Sequence, residues 1–337
     1  MNRSQRRSAK KAGEPLKRKG YDLFEAAMAH HGAGRLDLAE DAYQKGLKIV
    51  PDCAEAHGNL AVALQGLGRL EEAEASYRRA LALKPDYAEA HNNLAAALAD
   101  LDRPEEAEAS YRRALELRPD YAEAHSNLSA VLRTLGRPEE AEAHCRRALA
   151  IVPDYVEAHN NLGNALRDRG RMEEAEAAYR RALAIRLNYA DAHYNLGKLL
   201  RDLGRFEDAE AAYRRALAIR PNHAETHNNL GTALIGLGRL EEAGACYRRA
   251  LALKPDFAEA HSNLGVVLFG QGRLEEAEAS CRRALELNPD SALAHNNLGN
   301  ALRKAAYPAE AEACYRRALA LKPDYADAFS NLGNVLR

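Results

Sequence analysis

The chain has 337 residues, of which 48 are Lys or Arg and 49 are Asp or Glu, so its formal net charge is only −1. Hydrophobic residues make up 47%, but no apolar run approaches the ~20 residues that a transmembrane helix needs, which excludes a membrane-spanning protein. Tryptophan is absent, and Ala, Leu, Glu and Arg, which favour helices, are abundant.

The basic residues are concentrated at the N-terminus. Residues 1–19 contain eight Lys or Arg and a single acid, Glu14. We interpret this segment as a disordered, solubilising tail; the alternative is that it binds an anionic partner such as nucleic acid or a membrane surface. Because the segment lacks the apolar core of a secretory signal, we expect a cytoplasmic protein.

The rest of the chain repeats every 34 residues. Proline recurs at this spacing, at Pro51, Pro85, Pro119, Pro153, Pro221, Pro255, Pro289 and Pro323. The equivalent position of the remaining repeat is Leu187. Repetition at this length is typical of stacked supersecondary units. It predicts units one to nine and a C-terminal half unit at 326–337, the nine being 20–53, 54–87, 88–121, 122–155, 156–189, 190–223, 224–257, 258–291 and 292–325.

Each unit has the pattern of two helices. Apolar residues recur at positions 7, 8, 10 and 11 of the unit and again at 20, 24, 27, 28 and 30, which is the spacing of a helical face. A Gly-Arg pair such as Gly170-Arg171 separates the two groups, and glycine tolerates the positive φ that ends a helix. The sequence therefore predicts an all-α solenoid of helix-turn-helix hairpins.

Two features at the helix ends give separate predictions. An Asp before the first helix of a unit, followed by Glu three residues later, has the spacing of a capping box, as in Asp86 and Glu89. In unit nine the residues 305–308, Ala-Ala-Tyr-Pro, replace the Leu-Gly-Arg turn of the other units. We therefore expect this hairpin to bend differently.

Together these residues resemble the tetratricopeptide repeat (TPR) family. Unit five shows the pattern with Leu162, Gly163, Ala175, Tyr179 and Ala182. The resemblance covers residues 20–337. It implies a right-handed superhelix whose first helices line a concave surface that binds other proteins.

One column of residues departs from the family pattern. The fourth position, usually tryptophan in the family, is histidine at His57, His91, His125, His159, His193, His227, His261 and His295. We expect these histidines to pack between helices. A zinc site shared by consecutive members is excluded, because zinc lies ~2 Å from its ligands whereas stacked helices lie ~8–10 Å apart.

The sixth position is asparagine in every unit after the first, including the half unit: Asn59, Asn93, Asn127, Asn161, Asn195, Asn229, Asn263, Asn297 and Asn331. Asparagine is unfavourable in the interior of a helix, but its amide can donate hydrogen bonds to a peptide backbone and accept hydrogen bonds from it. Because an extended chain rises ~3.3 Å per residue, each asparagine would meet about every third residue of a peptide in the groove. The alternative is that the amides bond to neighbouring helices or to water.

Residues that vary along the same face would set specificity. Positions 9 and 12 supply the candidates, which are Arg133, Arg167, Lys198, Arg201, Ile235 and Phe269. The arginines form a basic run beside Asp168 and Asp202, and an apolar patch follows. We therefore expect a ligand that is acidic in one section and apolar in the next; the alternative is a solvated mixed face.

The asparagine column is similar to that in the TPR region of O-linked N-acetylglucosamine transferases and their SPINDLY-like relatives, where such a ladder contacts substrate peptides. The resemblance implies this role for the matching asparagines alone. Our main interpretation is a protein-binding scaffold. The alternative is the N-terminal, substrate-recruiting arm of an O-linked glycosyltransferase whose catalytic domain lies beyond Arg337.

The sequence contains no motif of a catalytic or metal site. It lacks GxSxG, a glycine-rich phosphate loop and HExxH, so we predict no enzyme activity, no cofactor and no metal in this chain. Its five cysteines lie far apart and form no CxxC pair. This usage is typical of free, buried cysteines in a reducing compartment.

The last predicted helix has no second helix to cover it. Its apolar residues are Phe329, Leu332, Val335 and Leu336. Either the half unit is a poor cap, or the natural protein continues past Arg337, which we favour. A third interpretation is self-association through this helix.

Overall fold

The structure is a computed structural model that describes the backbone of residues 3–336 and the side chains of residues 14–336. It forms two compact units, residues 1–178 and 179–337. The first contains α1 (Arg3–Gly32), α2 (Leu36–Ile49), α3 (Ala54–Gly66), α4 (Leu70–Leu83), α5 (Ala88–Asp100), α6 (Pro104–Leu117), α7 (Ala122–Thr134), α8 (Pro138–Ile151) and α9 (Val156–Asp168).

The boundary between the two compact units falls within α10 (Met172–Ile185). The second unit then contains α11 (Ala190–Asp202), α12 (Phe206–Ile219), α13 (Ala224–Gly236), α14 (Leu240–Leu253), α15 (Ala258–Gly270), α16 (Leu274–Leu287), α17 (Ala292–Lys304), α18 (Pro308–Leu321) and α19 (Ala326–Val335). No β-strand occurs among residues 3–336.

The helices alternate as first and second helices of the repeat. Helices α3, α5, α7 and α9 begin at the first residue of repeat units two to five, and α11 to α19 follow the same register. Within each compact unit a first helix packs on the second helix of its own repeat and on that of the preceding repeat, as α5 does on α6 and α4. The predicted all-α solenoid of helical hairpins is confirmed.

The N-terminal segment differs from its prediction. Helix α1 begins at Arg3, so residues 3–19 continue the first helix of unit one where the sequence analysis predicted a disordered tail. Most of this segment consists of Arg, Lys, Ala and Gln, whose helix propensities are high. Residues 1 and 2, and the side chains before Glu14, lie outside the described residues.

Each hairpin turns through a residue with positive φ. In unit two Gly68 has φ 76°, and the amide of the next residue, Arg69, donates to the carbonyl of Leu64 at 2.9 Å. Ala306 takes the same place in unit nine with φ 67°, and Tyr307 N–H bonds to the Leu302 carbonyl at 2.9 Å. The expected different bend in unit nine is therefore wrong, because alanine accepts the left-handed conformation at an energetic cost.

The predicted capping boxes are also wrong. The residue at the N-cap of α5 is Tyr87, not Asp86, and it makes no side-chain capping hydrogen bond. The Asp lies one residue too early, in the turn between the units. Among the first helices with a described N-cap, Ser291 alone caps with its side chain, accepting from the amide of Ala294 at 3.2 Å.

Tyrosine fills the core of most hairpins. Tyr247 and Tyr315 are fully buried in their second helices. A Cβ on Gly231, in the facing first helix, would lie 2.7 Å from Cε1 of Tyr247. Glycine at this eighth position therefore makes room for the ring, and the two helices of the hairpin approach closely.

Arginines at the turns connect successive repeats. Arg137 donates through Nη1 to both carboxylate oxygens of Glu108 in the preceding repeat, at 2.8 Å, and through Nε to Glu140 in its own repeat at 2.6 Å. The same double pairing occurs at Arg69, Arg103, Arg171 and Arg239. These ion pairs lie on the second helices and fix the register of one hairpin against the next.

Candidate functional site

The asparagine column lies along the first helices. Two of its members, Asn229 and Asn297, are 8% exposed, and the others are half-buried. Where a bond is described, the amide nitrogen usually donates to the residue 35 positions earlier, the fifth of the preceding repeat. The bonds are Asn161 to Ser126 O (3.1 Å), Asn229 to Tyr194 Oη (3.2 Å), Asn263 to Asn228 Oδ1 (3.0 Å), Asn297 to Ser262 Oγ (3.1 Å) and Asn331 to Asn296 Oδ1 (3.0 Å).

These bonds correct one part of the sequence analysis. The amides are not fully open to a ligand, because their nitrogen already connects two neighbouring helices, which is the alternative that the sequence left open. At Asn161 the partner is a backbone carbonyl, so the nitrogen must face it. The amide oxygens of Asn161, Asn263, Asn297 and Asn331 accept no hydrogen bond from any described residue.

The remaining asparagines have individual surroundings. Asn59 lies close enough to the hydroxyl of Tyr43 to influence it, and Asn93 accepts from its neighbour Asn92 at 3.1 Å. Asn93 has no cross-repeat partner because the corresponding fifth residue of unit two is Gly58. Asn127 is half-buried on α7 without a hydrogen bond to another described residue, and Asn195 is half-buried on α11.

The predicted basic run is largely neutralised by neighbouring carboxylates. Arg133 pairs with Asp168 of the next repeat at 2.7 Å, and Arg167 approaches the same carboxylate at 3.4 Å. Arg201 pairs with Asp202 at 2.8 Å and donates to the amide oxygen of Asn229 at 3.1 Å. These arginines therefore present less positive charge to a ligand than the sequence analysis expected.

Aromatic and apolar side chains lie on the first helices of the second compact unit. The ammonium of Lys198 lies 5.7 Å from the ring centre of Tyr194. Ile235 and Phe269 are half-buried, while Val266, one turn before Phe269, is 37% exposed. Lys304 of the next repeat places its ammonium 4.9 Å from the Phe269 ring centre, across α15 and α17.

Comparison with known families identifies this architecture. Family models described as tetratricopeptide repeat match residues 52–120, 86–154, 120–188, 154–222, 188–256, 228–292 and 292–322. A model described as TPR repeat matches residues 309–336. The chain belongs to the tetratricopeptide repeat family. All of these matches are to repeat families, so this TPR chain is a repeat scaffold.

Several solved structures are similar to the chain, and those with TM-scores above 0.5 share its fold. The APC/C hetero-tetramer Cut9-Hcn1 matches with a TM-score of 0.68 and 14% identity, over 94% of this chain and 76% of that chain. PilF of Pseudomonas aeruginosa matches with a TM-score of 0.58 and 19% identity, over 64% of this chain and 99% of that chain. YrrB, a TPR protein with an unusual peptide-binding site, has a TM-score of 0.47 and 24% identity, over 55% of this chain and 96% of that chain. No curated protein sequence matches significantly.

The histidines in the family's tryptophan position have a structural partner. In every described case Nε2 lies 2.9–3.1 Å from the backbone carbonyl six residues earlier, as His227 does with Pro221. The ring N–H therefore ties the loop between two repeats to the following first helix. The predicted role in helix packing did not include this bond, because the repeat pattern does not show which carbonyl the ring faces.

Unit four contains an additional histidine contact. Nδ1 of His125 lies 2.8 Å from Nδ1 of His144 on the second helix. Burial, and then the charge of His125, lowers the pKa of His144 to about 4. Both rings are therefore neutral at pH 7, with one Nδ1 donating and the other accepting.

The described residues contain no cluster of His, Cys, Asp or Glu that could hold a metal ion. The five cysteines are free, with Cys145 and Cys281 buried and the others half-buried. Burial raises the pKa of Cys145 to about 11 and that of Cys281 to about 12, so these thiols are protonated at neutral pH. No helix in the described part of the chain has the length and hydropathy that crossing a membrane requires.

The last helix is partly covered. Leu332 and Val335 pack against a cluster that includes Leu298 and Tyr315, whereas Phe329 and Leu336 are 57% and 58% exposed. From the sequence, all four apolar residues of α19 are expected to be uncovered. Two of them are instead held by α17 and α18.

Proposed function

We propose that the surface formed by the first helices of the second compact unit binds an extended segment of another protein. Asparagine amide oxygens on this surface, at Asn263, Asn297 and Asn331, carry the proposal. Their nitrogens hold the neighbouring helix, while each oxygen retains acceptor capacity that a ligand can use. Membership of a family of repeat scaffolds supports the same function.

The occupied nitrogens make the proposed recognition more specific. Acceptor oxygens pair with the backbone N–H groups of a ligand, not with its carbonyls. Each such bond contributes only about 0.5–1.5 kcal/mol, so several repeats must act together. Because the nitrogen is fixed by its own hydrogen bond, the oxygen is pre-oriented, which reduces the entropy lost on binding.

A selection experiment tests the proposal. The full chain, fixed to beads, is offered a phage library that displays random 16-residue peptides, and enriched peptides are synthesised and titrated. We expect enriched peptides to bind, and the triple variant Asn263→Ala, Asn297→Ala, Asn331→Ala to lower their affinity at least tenfold with unchanged helicity by circular dichroism. Failure to enrich any peptide, or full affinity in the triple variant, would contradict the proposal.

Finer parts of the interpretation remain proposals. The glycosyltransferase alternative rests on the resemblance of the asparagine column, and a glycosyltransfer assay on the longest natural product of the gene tests it. The cytoplasmic location and an anionic partner for residues 1–19 rest on the sequence alone. Self-association through α19 would use the exposed Phe329 and Leu336, and light scattering with and without residues 326–337 tests it.

A further inference from the structure

The first helix of unit nine differs in charge from the other first helices of the repeats. Helix α17 (Ala292–Lys304) contains no acidic residue and ends with Arg303 and Lys304. Leu293 occupies the second position, where every other repeat from unit two onward has Glu or Asp. Lys304 occupies the thirteenth position, where units five and six have Asp168 and Asp202.

These substitutions leave three cations without a carboxylate. In units three and seven the basic residue near the repeat's end pairs with the acid at its second position, as Arg118 does with Glu89 at 2.8 Å and Lys254 with Glu225 at 3.4 Å. The equivalent residue of unit nine is Lys322, and its acid is replaced by Leu293. The side chains of Lys322, Arg303 and Lys304 are exposed and form no ion pair with a described residue.

Apolar side chains are exposed beside these cations. Leu293 is 45% exposed at the start of α17, and Val266 is 37% exposed on α15. Phe269 lies half-buried under the ammonium of Lys304, at 4.9 Å from its ring centre. The contact shows that the apolar group on α15 and the cations at the end of α17 form one continuous surface.

The position of this surface relative to the asparagine column is fixed by two kinds of contact. The second position of a repeat meets the fifth position of the preceding repeat, as in the bond of 3.1 Å from Asn228 to Glu259. The twelfth position meets the thirteenth of the following repeat, as Arg133 meets Asp168. Leu293 and Lys304 therefore lie on the same side of the first helices as Asn263 and Asn297.

We propose that the surface formed by Val266, Phe269, Leu293, Arg303, Lys304 and Lys322 binds an acidic protein segment that carries apolar side chains. This inference rests on the proposed function and assigns it a location and a ligand chemistry. Unpaired cations favour carboxylates by charge complementarity, and the exposed apolar groups bury the ligand's own apolar side chains. The arginines of units four to six, which have carboxylates of their own, contribute less.

The same phage library provides the probe, and three variants are compared with the unmodified chain. The test variant Arg303→Ala, Lys304→Asp changes the charge by −3 and introduces the Asp of units five and six. The matched control, Lys45→Asp, Lys48→Ala, makes the same change on the exposed side of α2, a second helix. Phe269→Ala removes the apolar contact. Circular dichroism checks that every variant is folded.

The proposal predicts that peptides enriched on the unmodified chain are acidic and contain Leu, Ile or Phe. By fluorescence anisotropy, the test variant should bind them at least tenfold more weakly, Phe269→Ala at least threefold, and the control within twofold. Enriched peptides of another composition, or equal losses in test and control, would overturn this inference and leave the proposed function intact. The absence of any enriched peptide would contradict both.

Discussion

The amide nitrogen of Asn297 donates to Oγ of Ser262 at 3.1 Å, and thirty-five residues separate the two. The bond joins the sixth position of one repeat to the fifth of the repeat before it. Both side chains are nearly buried, with Asn297 8% and Ser262 2% exposed. The column that the sequence predicts as a ligand contact is thus also a connection between first helices.

Asn297→Ala should destabilise the protein, and Asn127→Ala should not. Losing the bond to Ser262 costs about 1 kcal/mol, while the better helix propensity of alanine returns about 0.5 kcal/mol at either site. Asn127 makes no hydrogen bond to a described residue and is the matched control. In urea denaturation, the free energy of unfolding of Asn127→Ala should be about 1 kcal/mol higher than that of Asn297→Ala. Equal free energies would show that the hydrogen bond of Asn297 adds nothing to stability.

Ala306→Gly should stabilise the last full hairpin. Ala306 has φ 67°, and the left-handed conformation costs a residue with a Cβ about 1–2 kcal/mol. Glycine removes this cost, although it adds some entropy to the unfolded chain. We expect the free energy of unfolding, measured by urea denaturation, to rise by about 1 kcal/mol. The reverse change, Gly170→Ala at φ 73°, should lower it by a similar amount. A lower free energy of unfolding in both variants would contradict the explanation.

Gly244→Glu should restore a missing ion pair. Gly244 occupies the position of Glu108 and Glu210 in other repeats, so among the described residues Arg273 pairs only with Glu276, at 2.6 Å. Replacing a helical glycine adds about 1 kcal/mol to the stability for alanine and somewhat less for glutamate, and the new carboxylate adds a few tenths through Arg273. The Cβ would lie 3.2 Å from Cγ1 of Val267, a tight contact.

Gly244→Ala separates the two contributions to that gain. Both variants should melt above the unmodified chain, with Gly244→Glu the more stable at low salt. In 1 M salt, which screens exposed ion pairs, the advantage of Gly244→Glu should disappear. An advantage that persists at high salt would show that the carboxylate acts by a route other than Arg273.

Stability should fall as the pH is lowered from about 6.5 towards 4, partly because of His144. Its pKa is lowered to about 4 by burial and by His125, so the unfolded chain binds a proton in this window before the folded chain does. Because His144 is only half-buried, we discount the full value and expect about 1–2 kcal/mol.

His144→Ser provides the control, since Ser110 occupies the same position in unit three. The variant should lose part of the slope of melting temperature against pH between 6.5 and 4. A residual slope is expected, because burial also lowers the pKa of His91 and His193. An unchanged slope in the variant would contradict the role of His144.

The sequence was sufficient to predict the helices and their register. A period of 34 residues and the apolar spacing place the start of α9 at Val156, where the structure has it. The predicted capping box is wrong for a local reason. Asp86 and Glu89 have the right separation, but the N-cap of α5 is the residue after Asp86. Spacing alone does not reveal where the backbone changes conformation.

The surroundings of the site could not be predicted because they depend on contacts between repeats. Nothing in one repeat shows that Asn161 faces Ser126, or that Asp168 neutralises Arg133. Both follow from the offset of 35 residues between neighbouring first helices. With that offset known, the unpaired Lys304 could have been found from the absence of acids in α17.

The central claim is that amide oxygens of the first helices accept hydrogen bonds from the backbone of an extended ligand. Single N-methylation, scanned along a selected peptide, tests it most directly by fluorescence anisotropy. We expect methylation to weaken binding about threefold to tenfold at about every third residue, the spacing of the repeats, and to leave binding unchanged at the residues between them. Affinity that does not respond to methylation at any position would contradict the claim.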